Sequence, residues 1–208
     1  MSDPFARGGT VTGLEGVEAD AERVRQQVGI PPETAVPDLE RALDALGLLV
    51  ARRPLGRERL EAISIGRGLA LLNPSGLPTH TRFVAAHLLA HHLYGDEPHV
   101  ERGVERDLER PGCDDRQWRA SAFAACFLVG RQALLARTPA RITTEAVLRL
   151  AAEFQVGYEV MLWRLRETGL AGPEGRPGAA GTGAGWPLPP SPGGNGVVGH
   201  VRQPHPGR

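Results

Sequence analysis

Residues 82–95, RFVAAHLLAHHLYG, constrain the chain more than any other stretch, because they demand a helix buried on nearly every side. Phe83, Val84, Ala86, Leu88, Leu89 and Leu93 leave no polar stripe, and a helix that is apolar all round belongs inside a protein. His87 and His91 fall within this run, four residues apart. That spacing is about one helical turn, so both imidazoles leave the same face. An unsatisfied buried polar group costs about 1–3 kcal/mol, so the pair needs partners. A metal ion is one solution, since a helix offers two nitrogens to zinc at this spacing. A hydrogen-bonded pocket or water is the other. His92 points some 100° away from His91 and is not expected to share the same ion.

The rest of the chain predicts an α+β domain, mostly helical, with a small sheet of two or three strands. A helix is expected over 17–27, stopped by Gly29, and a second opens at Pro37-Asp38. In that second helix Leu39, Ala42, Leu43 and Leu46 recur every three or four positions, and Gly47 stands where a C-terminal glycine ends a helix. Three short strands follow at 48–53, 60–65 and 68–72, then the loop NPSGLP. The histidine helix is expected over 80–94, ended by Gly95-Asp96. Residues 96–112 hold His99 and several Arg/Glu pairs and read as a solvated loop with at most a short helical turn. A straight helix would point Asp96 and Glu97 away from the histidine face. The segment RQWRASAFAACFLV is helical from Asp114 or Asp115, either a fair N-cap, to about Gly130. Two more helices run from Thr143 or Thr144 to Phe154 and over 157–168, with Gly169 ending the ordered part.

The domain limits follow from composition. Residues 1–16 hold four glycines and little periodicity, and are expected to be a flexible N-terminus. One domain covers 17–170. Half of the last 38 residues, 171–208, are Gly or Pro, and such a segment cannot bury enough surface to offset its ordering entropy. It reads as a disordered tail. Within it GTGAG at 181–185 has neither a strand before it nor a helix after it, and WPLPPSP at 186–192 reads as linker despite its PxxP spacing.

Charge and composition remove several function classes. The formal net charge is +0, so no global field draws the chain to nucleic acid or to anionic membrane. TTEAVLRLAAEFQVGYEVMLWRLRETGL has the outline of a helix-turn-helix, but residues 141–170 carry four Arg against four Glu, and phosphate contacts need a positive excess. The pair reads as a structural cap, and no direct nucleic-acid binding is expected. All the basic residues are arginine; with the abundance of Ala, Gly and Pro this suggests codon bias in a GC-rich bacterial genome. Cys113 and Cys126 form no CxxC. MSDPFARGG lacks an apolar secretory core, and no apolar run approaches the roughly 20 residues of a membrane span. A cytoplasmic location, away from membranes, is expected.

Five segments in order carry a resemblance. VPDLERALDALGLLV, a sheet ending in LALLN, RFVAAHLLAHHLYG, QWRASAFAACFLV and LAAEFQVGYEVMLWRLRETGL together resemble the ImmA/IrrE family over roughly residues 20–170. The resemblance implies a zincin-like fold and a zinc metallo-endopeptidase that cuts helix-turn-helix repressors. The family's central motif reads like RFxxAHELGHxxxH, and Arg82, Phe83, Ala86, His87, Leu89 and His91 match it. His87 and His91 would be zinc ligands. The glutamate between them would be the general base, and Leu88 stands in its place. The later motif reads like ExxANxFAAxLLMP; Ala120, Phe123, Ala124, Ala125 and Leu128 match, but Gln117 replaces the third-ligand Glu and Ser121 replaces Asn. The metal set implied is therefore His87, His91 and Gln117, with Asp114 or Cys113 as a substitute third ligand, about one helical turn earlier.

A general base typically contributes about 10²–10⁴ in rate, which leucine cannot supply. A neutral amide is also a poorer partner for a dication than a carboxylate. The expectation is a pseudoenzyme with no catalytic residue assigned, possible zinc binding, and a helix-turn-helix repressor as its partner. The alternative is an active zinc endopeptidase with a rearranged site.

Overall fold

The computed structural model describes residues 13–56, 60–74, 76–109 and 115–171. Residues 1–12, Cys113, Asp114 and the segment from 172 onward lie outside the described residues, so the expectations for the tail and for the two substitute ligands fall there too.

The element that anchors everything else is α3, Pro78–Leu93. Ten of its residues, including Phe83, Val84, Ala86, Leu88 and Leu89, are buried, as an all-round apolar helix requires. It packs against α4, Asp115–Leu128, whose Ala120, Ala122, Ala124 and Ala125 are small enough to let the two backbones approach closely. The first helix, α1 (Leu14–Gln27), covers α4 from another side and starts three residues before the expected position. A short α2, Leu39–Ala45, is capped by Asp38, whose Oδ1 accepts from the Arg41 N–H at 2.9 Å. Thr143 caps α6, Thr144–Phe154, through its side-chain oxygen and the Ala146 N–H at 3.2 Å. The last helix is α7, Tyr158–Glu167, and its residues Val160 to Leu165 are all buried. Between α4 and α6 lies a two-turn helix not expected from the sequence, α5 (Arg131–Arg137).

Among the described residues the sheet has four strands in the order β1-β3-β2-β4, one more than expected. β1 (Leu49–Arg52) runs parallel to β3 (Leu69–Leu72); β2 (Ala62–Gly66) is antiparallel to β3 and to β4 (His99–Glu101). The β2–β3 turn needs glycine at 68: φ is +77°, and a Cβ there would meet the Gly47 carbonyl oxygen at 2.3 Å.

β4 corrects the solvated-loop expectation for 96–112. It is followed by a 3-10 turn, Val104–Leu108, that buries Val104, Asp107 and Leu108. Eight of the fourteen residues of EPHVERGVERDLER are charged and the few apolar ones show no period, so nothing local marks which side chains turn inward. Pairing with β2 decides it: Ala62 lies opposite Glu101 and Ile63 opposite Val100, which sends Glu101 to the buried face and Val100 outward. Among the described residues no helix is long and apolar enough to cross a membrane.

Candidate metal centre

His87 and His91 do share one face of α3, with ring centroids 4.6 Å apart, and both are fully buried. Their Nε2 atoms stand 2.9 Å from each other. The carboxylate of Glu101, also fully buried, closes on the same point: Oε2 lies 3.4 Å from His87 Nε2 and Oε1 lies 3.2 Å from His91 Nε2. Gln117 reaches it from α4, its Oε1 3.1 Å from His87 Nε2. The three expected residues His87, His91 and Gln117 are thus brought together, and Glu101 joins them from β4.

The far nitrogens of both rings are already committed. Ser121 Oγ donates to the Val104 carbonyl at 2.8 Å, so the hydroxyl oxygen is left to accept from the His87 Nδ1–H at 3.0 Å. His91 Nδ1–H donates to Asp96 Oδ2 at 2.7 Å, and Arg119 donates to both Asp96 oxygens at 3.0 and 3.1 Å. With Nδ1 protonated on each ring, each Nε2 turns a lone pair inward. Two lone pairs, a carboxylate and an amide oxygen then face one another with at most one proton to share among them. A hydrogen bond at the far ring nitrogen, here to Ser121 and Asp96, is what fixes a histidine's tautomer for a metal.

The position of Asp96 corrects the expectation that it points away. Gly95 at φ +70° ends α3 in a Schellman turn, with Gly95 N–H donating to the His92 carbonyl at 3.2 Å and Asp96 N–H to the His91 carbonyl at 2.9 Å. That turn folds the residue after the glycine back over His91, where a straight helix would have carried it onward. The glycine followed by aspartate was the available signal.

The same contacts set the charge of the cluster. Burial alone would raise the Glu101 carboxyl, but hydrogen bonding and charge from His87 and His91 outweigh it and hold Glu101 well below the usual carboxylate range. Burial pushes His87 down. Burial opposes protonation of His91 as well, yet Asp96 behind it and Glu101 in front raise it. His99 stands beside the cluster, its ring centroid 4.1 Å from that of His91 and its Nε2 2.5 Å from Glu101 Oε1.

The donor set fits a zinc-class ion. Zinc bonds of about 2.0–2.1 Å in a tetrahedron separate ligand atoms by roughly 3.3 Å. The ligand atoms of His87, His91 and Glu101 all lie within 4.8 Å of one another, and their closest approaches of 2.9, 3.2 and 3.4 Å bracket that spacing. The model of the Peptidase_M78 family, described as an IrrE N-terminal-like domain, matches residues 43–166. The chain belongs to that family. A search of curated proteins finds no match to it. The family match covers α2 in part, the whole sheet and the helices to α7, and so includes every residue of the metal centre.

Leu88, where the resemblance leads one to expect a general base, is buried in the hydrophobic core. Gln117, expected as third ligand, brings an amide oxygen and no charge. The carboxylate that these positions lack is present in the site, but it enters from β4. Glu101 lies in no recognised motif and is one of four glutamates from position 97 to position 109, so the sequence does not single it out.

Proposed function

We propose that this chain is a metal-holding member of the family in which binding has outlasted cutting. His87, His91 and Glu101 would hold a zinc-class ion, with the Gln117 amide beside His87. Bound there, such an ion supplies Lewis acidity. The chain's own residues do the rest: Ser121 and Asp96 orient the two imidazoles, and Glu101 supplies the negative charge that Gln117 does not. The domain acts on a helix-turn-helix transcriptional repressor by binding it.

The observation that carries this reading is closure. His87, His91 and Glu101 are 0%, 1% and 1% exposed, and the approach to them is covered by the half-buried Gln117 and His99. A cavity of about 560 Å³ lies between α2, β1 and α3, lined by Leu39, Leu43, Val50 and Arg82 among others, and touches none of the four residues of the centre. No side chain that could serve as base occupies position 88. The test is metal content and cleavage together. Wild type should purify with about one zinc per chain, His87→Ala with none, and a helix-turn-helix repressor encoded beside this gene should be bound but left intact. Cleavage that disappears in His87→Ala would overturn the binding-only reading.

The second reading, a working endopeptidase with a rearranged site, is favoured by one observation: the site does contain a carboxylate. If Glu101 replaces the third ligand, repressor cleavage should require both His87 and Glu101.

A further inference from the structure

The carboxylate that completes the metal centre sits on a three-residue strand at the edge of the sheet, and something must hold so short a piece against a buried cluster of acceptors. We infer that Glu61 and His80 form a brace that positions Glu101 against His87 and His91; the inference rests on the metal reading of that site.

Glu61 grips both ends of the segment 101–104. Its backbone N–H donates to the Glu101 carbonyl at 3.0 Å, and its Oε2 accepts the Val104 N–H at 3.1 Å. Between those two points Gly103 turns the chain at φ +72°. The other Glu61 oxygen lies 3.3 Å from His80 Nε2, and His80 Nδ1 lies 3.2 Å from Glu105 Oε1, so one imidazole bridges carboxylates on either side of the segment. The Glu105 carboxylate and then the Glu61 carboxylate outweigh burial and raise His80 to about 10, which keeps the bridge cationic at neutral pH.

The brace is wired to the ligands at two places. His80 stands in the first turn of α3, the helix that also carries His87 and His91. The Val104 carbonyl, held in place through the same segment, accepts from Ser121, and Ser121 fixes the ring of His87. One helix thus presents both the nitrogen ligands and the cation that keeps the oxygen ligand opposite them. The plainer account is a partly exposed ion cluster that adds a little stability and nothing else, since surface pairs are commonly worth 0–1 kcal/mol.

The experiment compares wild type, His80→Ala, His80→Lys, Glu101→Gln and His87→Ala, with His80→Ala also built into the Glu101→Gln background. Zinc affinity is read by competition with a chromophoric chelator, and amide exchange of residues 101–104 is read in the zinc-free protein. A positioning role predicts that His80→Ala weakens zinc about tenfold, within the range for outer-shell losses, and speeds exchange at Val104. His80→Lys should restore both, and His80→Ala should cost nothing further once Glu101 is Gln. An equal loss in the Glu101→Gln background would show general loosening and overturn the inference, as would unchanged exchange in His80→Ala. If wild type and His87→Ala bind zinc alike, the metal reading itself has failed. Exchange at Val104 then decides the brace alone: faster exchange in His80→Ala that Lys reverses sustains it, and any other result removes it.

Discussion

The two halves of α4 each meet a fully buried polar cluster, and the clusters are built on opposite rules. Around its last turn and the residue that follows, two buried arginines cap open carbonyls. Arg25 donates to the Phe127 carbonyl at 2.7 Å and the Thr34 carbonyl at 2.6 Å, while Arg164 donates to the Val129 carbonyl at 3.1 Å and Glu18 at 2.7 Å. Donors there meet acceptors, and cations sit where the helix dipole is negative. Around the first two turns, Ser121 holds the far nitrogen of His87, while Gln117, Glu101 and the two Nε2 atoms turn acceptors toward one another. The first cluster sets cations against carbonyls and Glu18, leaving only donors over, at Arg25 Nε and Arg164 Nη1, and is structure. The second is left wanting a cation and is a site. Burial alone does not separate them; the balance of donors and acceptors does.

The largest effect expected from breaking this contrast is at the closed end. Arg25→Met should cost about 3 kcal/mol or more, because it orphans carbonyls that nothing else reaches. Chemical denaturation should show that loss while the folded variant still takes up zinc.

At the open end the ranking inverts. Glu101→Gln keeps the shape, so its cost to zinc-free stability should be small, yet zinc affinity should fall by more than the ~10–100-fold of an outer-shell loss. A variant that binds zinc like wild type would move the centre back to Gln117. Asp96→Asn should weaken zinc about tenfold, since the amide no longer holds the His91 proton as strongly, and Glu101→Gln with Asp96→Asn should be less than additive.

The smallest effect sharpens the comparison by pH. His80 is raised from 6.5 to about 10 by Glu105 and Glu61, so the stability it adds is fully present below about pH 6.5 and is lost as pH rises through about 10. The melting-temperature gap between wild type and His80→Ala should shrink over that window. Because His80 is a quarter exposed, the gap is modest and should also shrink in high salt.

Much of this protein was legible in its residues. The unbroken apolar surround of His87 and His91 required α3 to be central and buried, and the four-residue spacing required a common face. Thr143, Asp38 and Gly47 marked helix ends where the structure has them, because caps act within a few residues of chain. The order of segments pointed to the family that the match over residues 43–166 shows.

What the tertiary structure alone decided is the carboxylate. Glu101 differs from Glu97, Glu105 and Glu109 in no local property; each is a glutamate in a charged, poorly periodic stretch. The antiparallel register of β4 against β2 selects it, because a strand alternates faces and a one-residue slip would have buried Val100 instead. That register is a long-range pairing, gripped by Glu61 some forty residues earlier, and no window of sequence contains both partners.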